Sequence, residues 1–175
     1  IGIPAASTDV RLVTDEGKDA KFGEPGEMWV KGPQVMQGYY NRADATAEVL
    51  EDGWLKTGDI ATVDVDDHFT IVDRKKDMII VSGFNVYPNE IEEVIVMHDG
   101  VLEAAAIGVP CEATGELVKA YIVKTDPNVD ESAVIEHCHK YLTNYKVPKQ
   151  IEFIDEMPKT NVGKILRKEL RPQPA

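Results

Sequence analysis

The organisation of the chain is decided by residues 69–81, FTIVDRKKDMIIV. An apolar, β-branched segment with the composition of a short strand stands at each end of this stretch. Between the two segments lies the charged run 73–77, whose charges we do not expect to be fully buried. We therefore predict a polar linker between two strands, and a division of the chain into residues 1–75 and residues 76–175.

The part before the linker has the pattern of β-structure. Residues 10–13 and 27–32 are predicted to be short strands, joined by turns that contain glycine. A short helix is predicted before the turn Asp52-Gly53, with Asp44 as its N-cap. These features predict a β-rich subdomain with one short helix.

The part after the linker contains segments with the sequence period of a helix and segments with the period of a strand. A helix is predicted from about Glu90, because Asn89 and Glu92 have the spacing of a capping box. The later segments alternate between strand and helix patterns: strands at 103–109 and 118–124, a helix with Val134, Cys138 and Leu142 on one face, and a strand marked by Ile151 and Phe153. Together with the β-rich first part, this order predicts the α+β class.

Composition limits the classes of protein to which the chain can belong. With 175 residues and 43% hydrophobic content, it can bury a core. It contains no long apolar run and opens with no basic, apolar leader, which favours a cytoplasmic protein. Cys111 and Cys138 stand in no metal or redox spacing, and both are expected to be buried free thiols. The first residue is not Met, and we expect the chain to be a fragment of a longer polypeptide.

The charge is unevenly distributed. A net charge of −12 argues against non-specific binding to nucleic acid, which needs a basic surface. Residues 140–171 nevertheless hold eight basic and four acidic residues. Such a basic segment is either a solvated face or a surface for a polyphosphate ligand, and motifs must decide between the two.

Three motifs occur in a fixed order: DGWLKTGD at 52–59, VDRKKDMIIVSGFNVYPNEIE at 72–92, and PKTNVGKI at 158–165. Together they resemble the adenylate-forming superfamily of acyl-CoA synthetases, luciferases and peptide-synthetase adenylation domains. The resemblance covers nearly the whole chain and is closest to bacterial long-chain-fatty-acid CoA ligases. It implies a β-barrel-like subdomain at 1–75, belonging to a large N-terminal domain, followed by a small mobile C-terminal α+β domain at 76–175.

Lys164 is the candidate catalytic residue. Joining a carboxylate to the α-phosphate of ATP brings like charges together, and a cation on a flexible Gly-Lys turn could stabilise them. The segment is not a phosphate-binding P-loop, because Ile165 replaces Ser/Thr and Pro158 stands at the first glycine position. A Gly-Lys turn alone is commonly only surface, but the resemblance implies that Lys164 is the adenylation lysine.

Three residues are implied by the resemblance to bind the nucleotide. The Asp59 carboxylate can accept hydrogen bonds from both ribose hydroxyls, although a turn Asp often bonds its own backbone instead. Arg74 offers a planar donor fork to ribose and phosphate oxygens, or it is an exposed ion pair with Asp73. Ile71 is placed near adenine by the resemblance, and a core strand residue would have the same pattern.

The resemblance also implies a hinge and a CoA contact. Lys76 aligns with the position about which the C-terminal domain of such enzymes rotates between adenylation and thioester formation. The CoA-binding residues are expected in the next turn, where they would line the pantetheine tunnel: Ser82, Gly83, Phe84 and Asn85. The alternative is an ordinary hairpin turn.

The implied function is ATP-dependent activation of a long-chain fatty acid, followed by thioester formation with CoA. ATP, Mg²⁺ and CoA are the expected cofactors and substrates, and the missing N-terminal domain is the expected partner. The phosphate loop, the magnesium-binding acid and most of the acyl pocket are expected upstream, so we expect no metal site here and no activity from the isolated chain. Peripheral contact with the inner face of the cell membrane is a further expectation.

Three alternatives remain open: an aryl-CoA ligase, an adenylation domain that serves a carrier protein, and a non-catalytic nucleotide- or CoA-binding module. His137 and His139 are two apart on a predicted helix, point to different sides, and are not expected to bind a metal. Trp29 and Trp54 are expected to be packing residues at strand ends, because neither has the interleaved basic partners that a nucleic-acid-binding platform requires.

Overall fold

The computed structural model describes residues 1–171, which form two compact units. The first unit is Ile1–Lys76, and the second begins at Asp77. The chain passes from one to the other in a single 3-10 turn, Lys75–Asp77. Residues 172–175, the last four of the expected second domain, lie outside the described residues. Both units contain strands and helices, which confirms the predicted α+β class.

The first unit is a curled antiparallel sheet with one short helix. Its elements are β1 Asp9–Val13, β2 Gly26–Lys31, α1 Ala43–Val49, β3 Leu50–Glu51, β4 Trp54–Val63 and β5 Phe69–Arg74. The strand order is β1-β2-β4-β3, and β5 pairs with β4. Alternating residues of these strands meet in a small core formed by Leu12, Met28, Ala61 and Phe69.

The predicted N-cap of α1 is wrong. The capping position is Arg42, and no side chain there bonds a free backbone amide. Asp44 lies inside the first turn, where its carboxylate pairs with the Arg42 guanidinium at 3.2 Å. This hydrogen bond lowers the pKa of Asp44. The carboxylate that we expected to cap the helix is therefore paired with the Arg42 guanidinium.

The predicted exposure of the charged run is wrong at its first residue. Asp73 is only 2% exposed and lies in β5 opposite Ile60. Its Oδ1 accepts a hydrogen bond from the backbone N–H of Arg74 at 2.7 Å. A short carboxylate that accepts backbone bonds can be buried, whereas long cationic side chains extend to solvent. The strand consequently runs through Arg74.

The second unit packs helices on a mixed sheet. Its elements are β6 Ile79–Val81, β7 Phe84–Val86, α2 Pro88–Val96, β8 Val101–Cys111, β9 Gly115–Lys124, α3 Glu131–His139, β10 Gln150–Phe153 and α4 Arg167–Leu170. The strand order is β10-β9-β6-β7, and β8 pairs with β9. Strand β10 runs parallel to β9, and the other pairs are antiparallel.

Both faces of the β8–β9 ladder are covered, which explains why β8 is apolar at nearly every position. On one face, Ala104 and Ala106 belong to the core that includes Ile91 and Ile95 of α2. On the other face, Ala105 and Ile107 pack in a second cluster that includes Met157 and Leu170.

No helix within residues 1–171 is long and apolar enough to span a bilayer.

The predicted capping box of α2 is wrong. The helix starts at Pro88 with Tyr87 as N-cap and without a side-chain cap bond, so Asn89 and Glu92 lie inside the helix. Their side-chain oxygens accept long-range hydrogen bonds from Arg167 instead. Tertiary contacts therefore use the two residues that local spacing assigned to a cap.

Candidate functional site

Asp59 and Arg74 are direct neighbours in the first unit. They face each other across the β4–β5 ladder, and Arg74 Nε lies 3.2 Å from Asp59 Oδ1. The Arg74 side chain is 60% exposed and the Asp59 side chain 28%. A planar donor fork and a carboxylate acceptor are therefore presented to solvent side by side.

A local contact fixes the backbone that carries Asp59. The Thr57 hydroxyl donates to the carbonyl oxygen of Met28 at 2.8 Å and accepts from the Asp59 N–H at 3.1 Å. Asp59 thus sits on a strand segment that is tied to the neighbouring strand β2.

A β-bulge brings Ile71 to the same face as this pair. Arg74 opposes Asp59 while Ile71 opposes Ala61, because one extra residue of β5 lies between the two pairings. Positions 59 and 61 of β4 point to the same side of the sheet. Ile71 is 37% exposed rather than buried in the core. The three residues expected to bind a nucleotide therefore lie on the side of the sheet that also carries the core residue Ala61, with Ile71 and Arg74 exposed beyond that core.

Lys164 closes a tight turn in the second unit. The Thr160 N–H donates to the Lys164 carbonyl at 2.8 Å, and the Lys164 N–H donates to Thr160 Oγ1 at 3.1 Å. Gly163 has φ +80°, a conformation that favours glycine, and a Cβ there would meet nothing within 4 Å. Within residues 1–171, the Lys164 ammonium forms no hydrogen bond or ion pair. The turn therefore presents an exposed cation on a defined backbone.

The segment expected to contact CoA is a two-residue hairpin turn between β6 and β7. Val81 pairs with Phe84, and Ser82 and Gly83 both have positive φ, as in the tight turns that suit β-hairpins. Phe84 is 56% exposed as a residue, and its ring stacks on that of Tyr145, with the ring centroids 4.8 Å apart. Asn85 follows on the exposed edge of β7.

Lys76 is the last residue of the first unit and lies in the middle of the 3-10 turn. The next residue, Asp77, is held by two arginines of the second unit. Its Oδ1 accepts from Arg171 at 2.8 Å, and its Oδ2 lies 3.9 Å from Arg167 Nη1. The residue after the expected hinge is thus fixed within the second unit.

Sequence reasoning missed a network centred on Arg167. Its guanidinium donates hydrogen bonds to Glu92 and Asn89 and lies 3.9 Å from the Asp77 carboxylate, all within the second unit. The basic segment 140–171 was recognised from the sequence as a charge asymmetry, but its internal partners were not. The Asn89 and Glu92 spacing was the available signal, and it indicated a cap rather than a tertiary contact.

Cationic side chains of neighbouring strands lie against the tryptophan rings of the first unit, a contact that the sequence analysis did not predict. The Lys56 ammonium lies 4.9 Å from the centre of the Trp29 ring, and the Arg11 guanidinium lies 5.6 Å from the rings of both Trp29 and Trp54. Strand pairing places these cations on the aromatic faces. Arg11 in β1 and Lys56 in β4 are too far from Trp29 in the sequence for local spacing to reveal these contacts.

The cysteines are free, as predicted, but only one is buried. Burial raises the pKa of the Cys138 thiol to about 11. Cys111 is half-buried because it ends β8 at a turn, and a hydrogen bond with the Thr114 side chain lowers the pKa of its thiol. The prediction of two buried thiols is therefore wrong for Cys111.

No set of three or more His, Cys, Asp or Glu side chains in the described residues could hold a metal ion. The His137 ring instead contacts α2, where its Nε2 donates to the Val94 carbonyl at 2.9 Å. Its ring lies 5.4 Å from that of His98 and 5.2 Å from that of Tyr141.

Two family models match the chain. The model described as AMP-binding enzyme matches residues 1–40, and the model described as AMP-binding enzyme C-terminal domain matches residues 90–164. The chain therefore belongs to the AMP-binding enzymes, in agreement with the resemblance found from the three motifs.

Several AMP-binding enzymes are similar to nearly the whole of this chain. A long-chain-fatty-acid–CoA ligase from Yersinia pestis is 64% identical over 98% of this chain and 30% of its own length. A feruloyl-CoA synthase from Amycolatopsis sp is 48% identical over 97% of this chain and 35% of its own length. ATP-bound MatB from Rhodopseudomonas palustris has a similar structure, with a TM-score of 0.91 at 35% identity, over 98% of this chain and 35% of that protein. The chain thus spans about a third of the length of these relatives.

Proposed function

We propose that the chain acts as part of a longer enzyme that activates long-chain fatty acids. Such an enzyme joins the fatty acid to AMP, expels pyrophosphate, and then transfers the acyl group to CoA with release of AMP. The observation that carries this proposal is the 64% identity to a long-chain-fatty-acid–CoA ligase over 98% of the chain. Similarity of this extent covers both units and all three motifs.

Within this function, Asp59, Arg74 and Ile71 bind the nucleotide. The carboxylate accepts hydrogen bonds from the ribose hydroxyls, the guanidinium donates to ribose or phosphate oxygens, and the isoleucine contacts the adenine ring. Their common face, the 3.2 Å contact between Asp59 and Arg74 and the exposure of Ile71 support this assignment.

Lys164 stabilises the negative charge that develops as the carboxylate attacks the α-phosphate. Two features support this role: the exposure of Lys164, and the absence of a competing carboxylate contact to its ammonium within residues 1–171. An ammonium already paired within its own domain would have to break that pair before it could act on a substrate.

The remaining assignments concern the second half-reaction. The first unit is the β-barrel-like subdomain of the large N-terminal domain, and the second unit is the small C-terminal domain, which rotates about Lys76. Rotation brings the hairpin of Ser82, Gly83, Phe84 and Asn85 to the pantetheine arm of CoA. The hairpin's exposed Phe84 edge and the unit boundary at Lys76 support these roles.

ATP, CoA and Mg²⁺ are the substrates and metal ion of this proposal. The described residues offer no donor set that fits Mg²⁺, so no step of the chemistry is assigned to the metal through this chain. Location in the cytoplasm, with peripheral contact to the inner face of the membrane, stays a prediction.

An aryl-CoA ligase is the nearest alternative function. The observation that favours it is the 48% identity to a feruloyl-CoA synthase. The higher identity to the fatty-acid enzyme favours the fatty acid as substrate.

Replacing Asp59 tests the nucleotide site. In the complete polypeptide, Asp59→Ala is expected to raise the KM for ATP by about 10- to 100-fold, the scale for losing hydrogen bonds to a charged group. Asp66→Ala, which removes an exposed carboxylate from the loop before β5, is the matched control and should leave the KM unchanged. Steady-state kinetics at varied ATP measure both. An unchanged KM for ATP in a folded Asp59→Ala protein would contradict the assignment.

A further inference from the structure

We propose that Arg167 is a positioning residue for adenylation, which fixes the turn that carries Lys164 and acts only through that lysine. The inference rests on the role proposed above for Lys164, and it adds a residue for which neither the motifs nor the relatives provide a role. It begins from an arginine whose side chain is only 19% exposed.

The strongest contact of Arg167 is with Glu92 of α2. Arg167 Nη2 donates to the two carboxylate oxygens of Glu92 at 2.9 and 2.7 Å, and Nε donates at 3.1 Å. The Glu92 side chain is only 13% exposed. A forked, charge-assisted pair with little solvent screening holds its geometry better than an exposed ion pair.

Glu92 is itself fixed on the sheet. Its Oε1 accepts a hydrogen bond from the backbone N–H of Ala106, in the centre of β8, at 2.8 Å. On the same helix, Asn89 Oδ1 accepts from Arg167 Nη2 at 2.9 Å. The guanidinium is consequently anchored to the helix α2 and, through Glu92, to the central ladder of the second unit.

Only two residues separate Arg167 from Lys164, and these residues are also tied down. Ile165 bridges to Lys159, and the Leu166 N–H donates to the Pro158 carbonyl at 2.8 Å. The base of the turn is therefore held by its own backbone and by Arg167. The ammonium at the tip stays exposed.

This arrangement has a mechanical consequence. If the second unit rotates as the proposed function requires, Lys164 reaches the reacting phosphate only if its turn keeps a fixed position on that unit. A displacement of a catalytic group by about 1 Å can cost about 100-fold in rate. Arg167 prevents such a displacement, because it joins the segment after the turn to α2 and to Asp77.

Substitutions of Arg167 in the complete polypeptide test the inference. Arg167→Ala is expected to slow acyl-adenylate formation by about 10- to 100-fold. Thioester formation from supplied acyl-adenylate and CoA should be retained. Arg167→Lys, which keeps the charge and loses the fork, should restore part of the rate. The matched control is Lys168→Ala, which removes a neighbouring exposed cation from α4 and should change neither half-reaction.

The double variant Lys164→Ala/Arg167→Ala tests whether Arg167 acts by positioning Lys164 or by stabilising the fold of the second unit. Because Arg167 acts through Lys164, the double variant should form acyl-adenylate no more slowly than Lys164→Ala alone. The inference would be overturned if the rate losses of the two single variants multiply in the double variant. It would also be overturned if Arg167→Ala slows both half-reactions equally. If Arg167→Ala does not fold, as judged by thermal melting, Arg167→Lys carries the same comparison. A Lys164→Ala enzyme with full adenylation activity would instead overturn the proposed role of Lys164 itself.

Discussion

Lys164→Ala in the complete polypeptide is expected to slow acyl-adenylate formation by about 10²- to 10³-fold, the scale for losing one preorganised donor that stabilises developing charge. The like-charged carboxylate and α-phosphate then meet without a neutralising ammonium. Fatty-acid-dependent exchange of pyrophosphate into ATP measures this half-reaction directly.

The second half-reaction is the internal control for Lys164. Thioester formation from supplied acyl-adenylate and CoA should survive the substitution, because no phosphate bond is formed in that step. Lys168→Ala removes the same charge four residues away and should leave both rates unchanged. An equal fall of both half-reactions in a well-folded Lys164→Ala enzyme would show that the lysine has another role.

Lys76→Pro is expected to separate the two half-reactions through the backbone alone. Proline fixes φ near −65°, and it also restricts the preceding residue, Lys75. A hinge that must change its dihedral angles is then held in one orientation. We expect one half-reaction to be retained and the other to fall by about 10- to 100-fold, in proportion to the lost population of its orientation.

Two comparisons make the Lys76 result interpretable. Lys76→Ala removes the ammonium without fixing φ, so it should leave the ratio of the two rates unchanged. Circular dichroism and thermal melting establish that the proline variant folds. Equal retention of both half-reactions in folded Lys76→Pro would show that rotation does not pass through this residue.

Sequence patterns predicted most elements where the signal is local. The alternation of residues 10–13 and the apolar residues of the second part correspond to strands in the structure. The dipeptide Asp52-Gly53 forms the predicted turn, with positive φ at both residues. The α+β class followed from these elements and from the motif order.

Predictions from the sequence were wrong at side chains whose partners are distant or set by the fold. Asn89 and Glu92 have the spacing of a cap but bond an arginine more than seventy residues away. Asp73 belongs to a charged run but is buried in β5, where its carboxylate accepts a backbone hydrogen bond. Local spacing carries no information about such partners, because folding brings them together.

The candidate site divides in the same way. Residue identities at Asp59, Arg74 and Lys164 came from motifs, whereas the common face of Asp59 and Ile71 depends on a bulge that the sequence does not reveal. The network of Arg167 is likewise a tertiary feature. The sequence therefore names candidate residues, and the structure adds the contacts that position them.

The most direct test of the proposed function is a product assay on the complete polypeptide. With ATP, Mg²⁺ and CoA, and palmitate or ferulate as the acid, chromatography measures the nucleotide and thioester products. We expect equal amounts of AMP and palmitoyl-CoA, a higher kcat/KM for palmitate than for ferulate, and no turnover by residues 1–175 alone. Release of ADP instead of AMP, a preference for ferulate, or turnover by the isolated chain would contradict the proposed function.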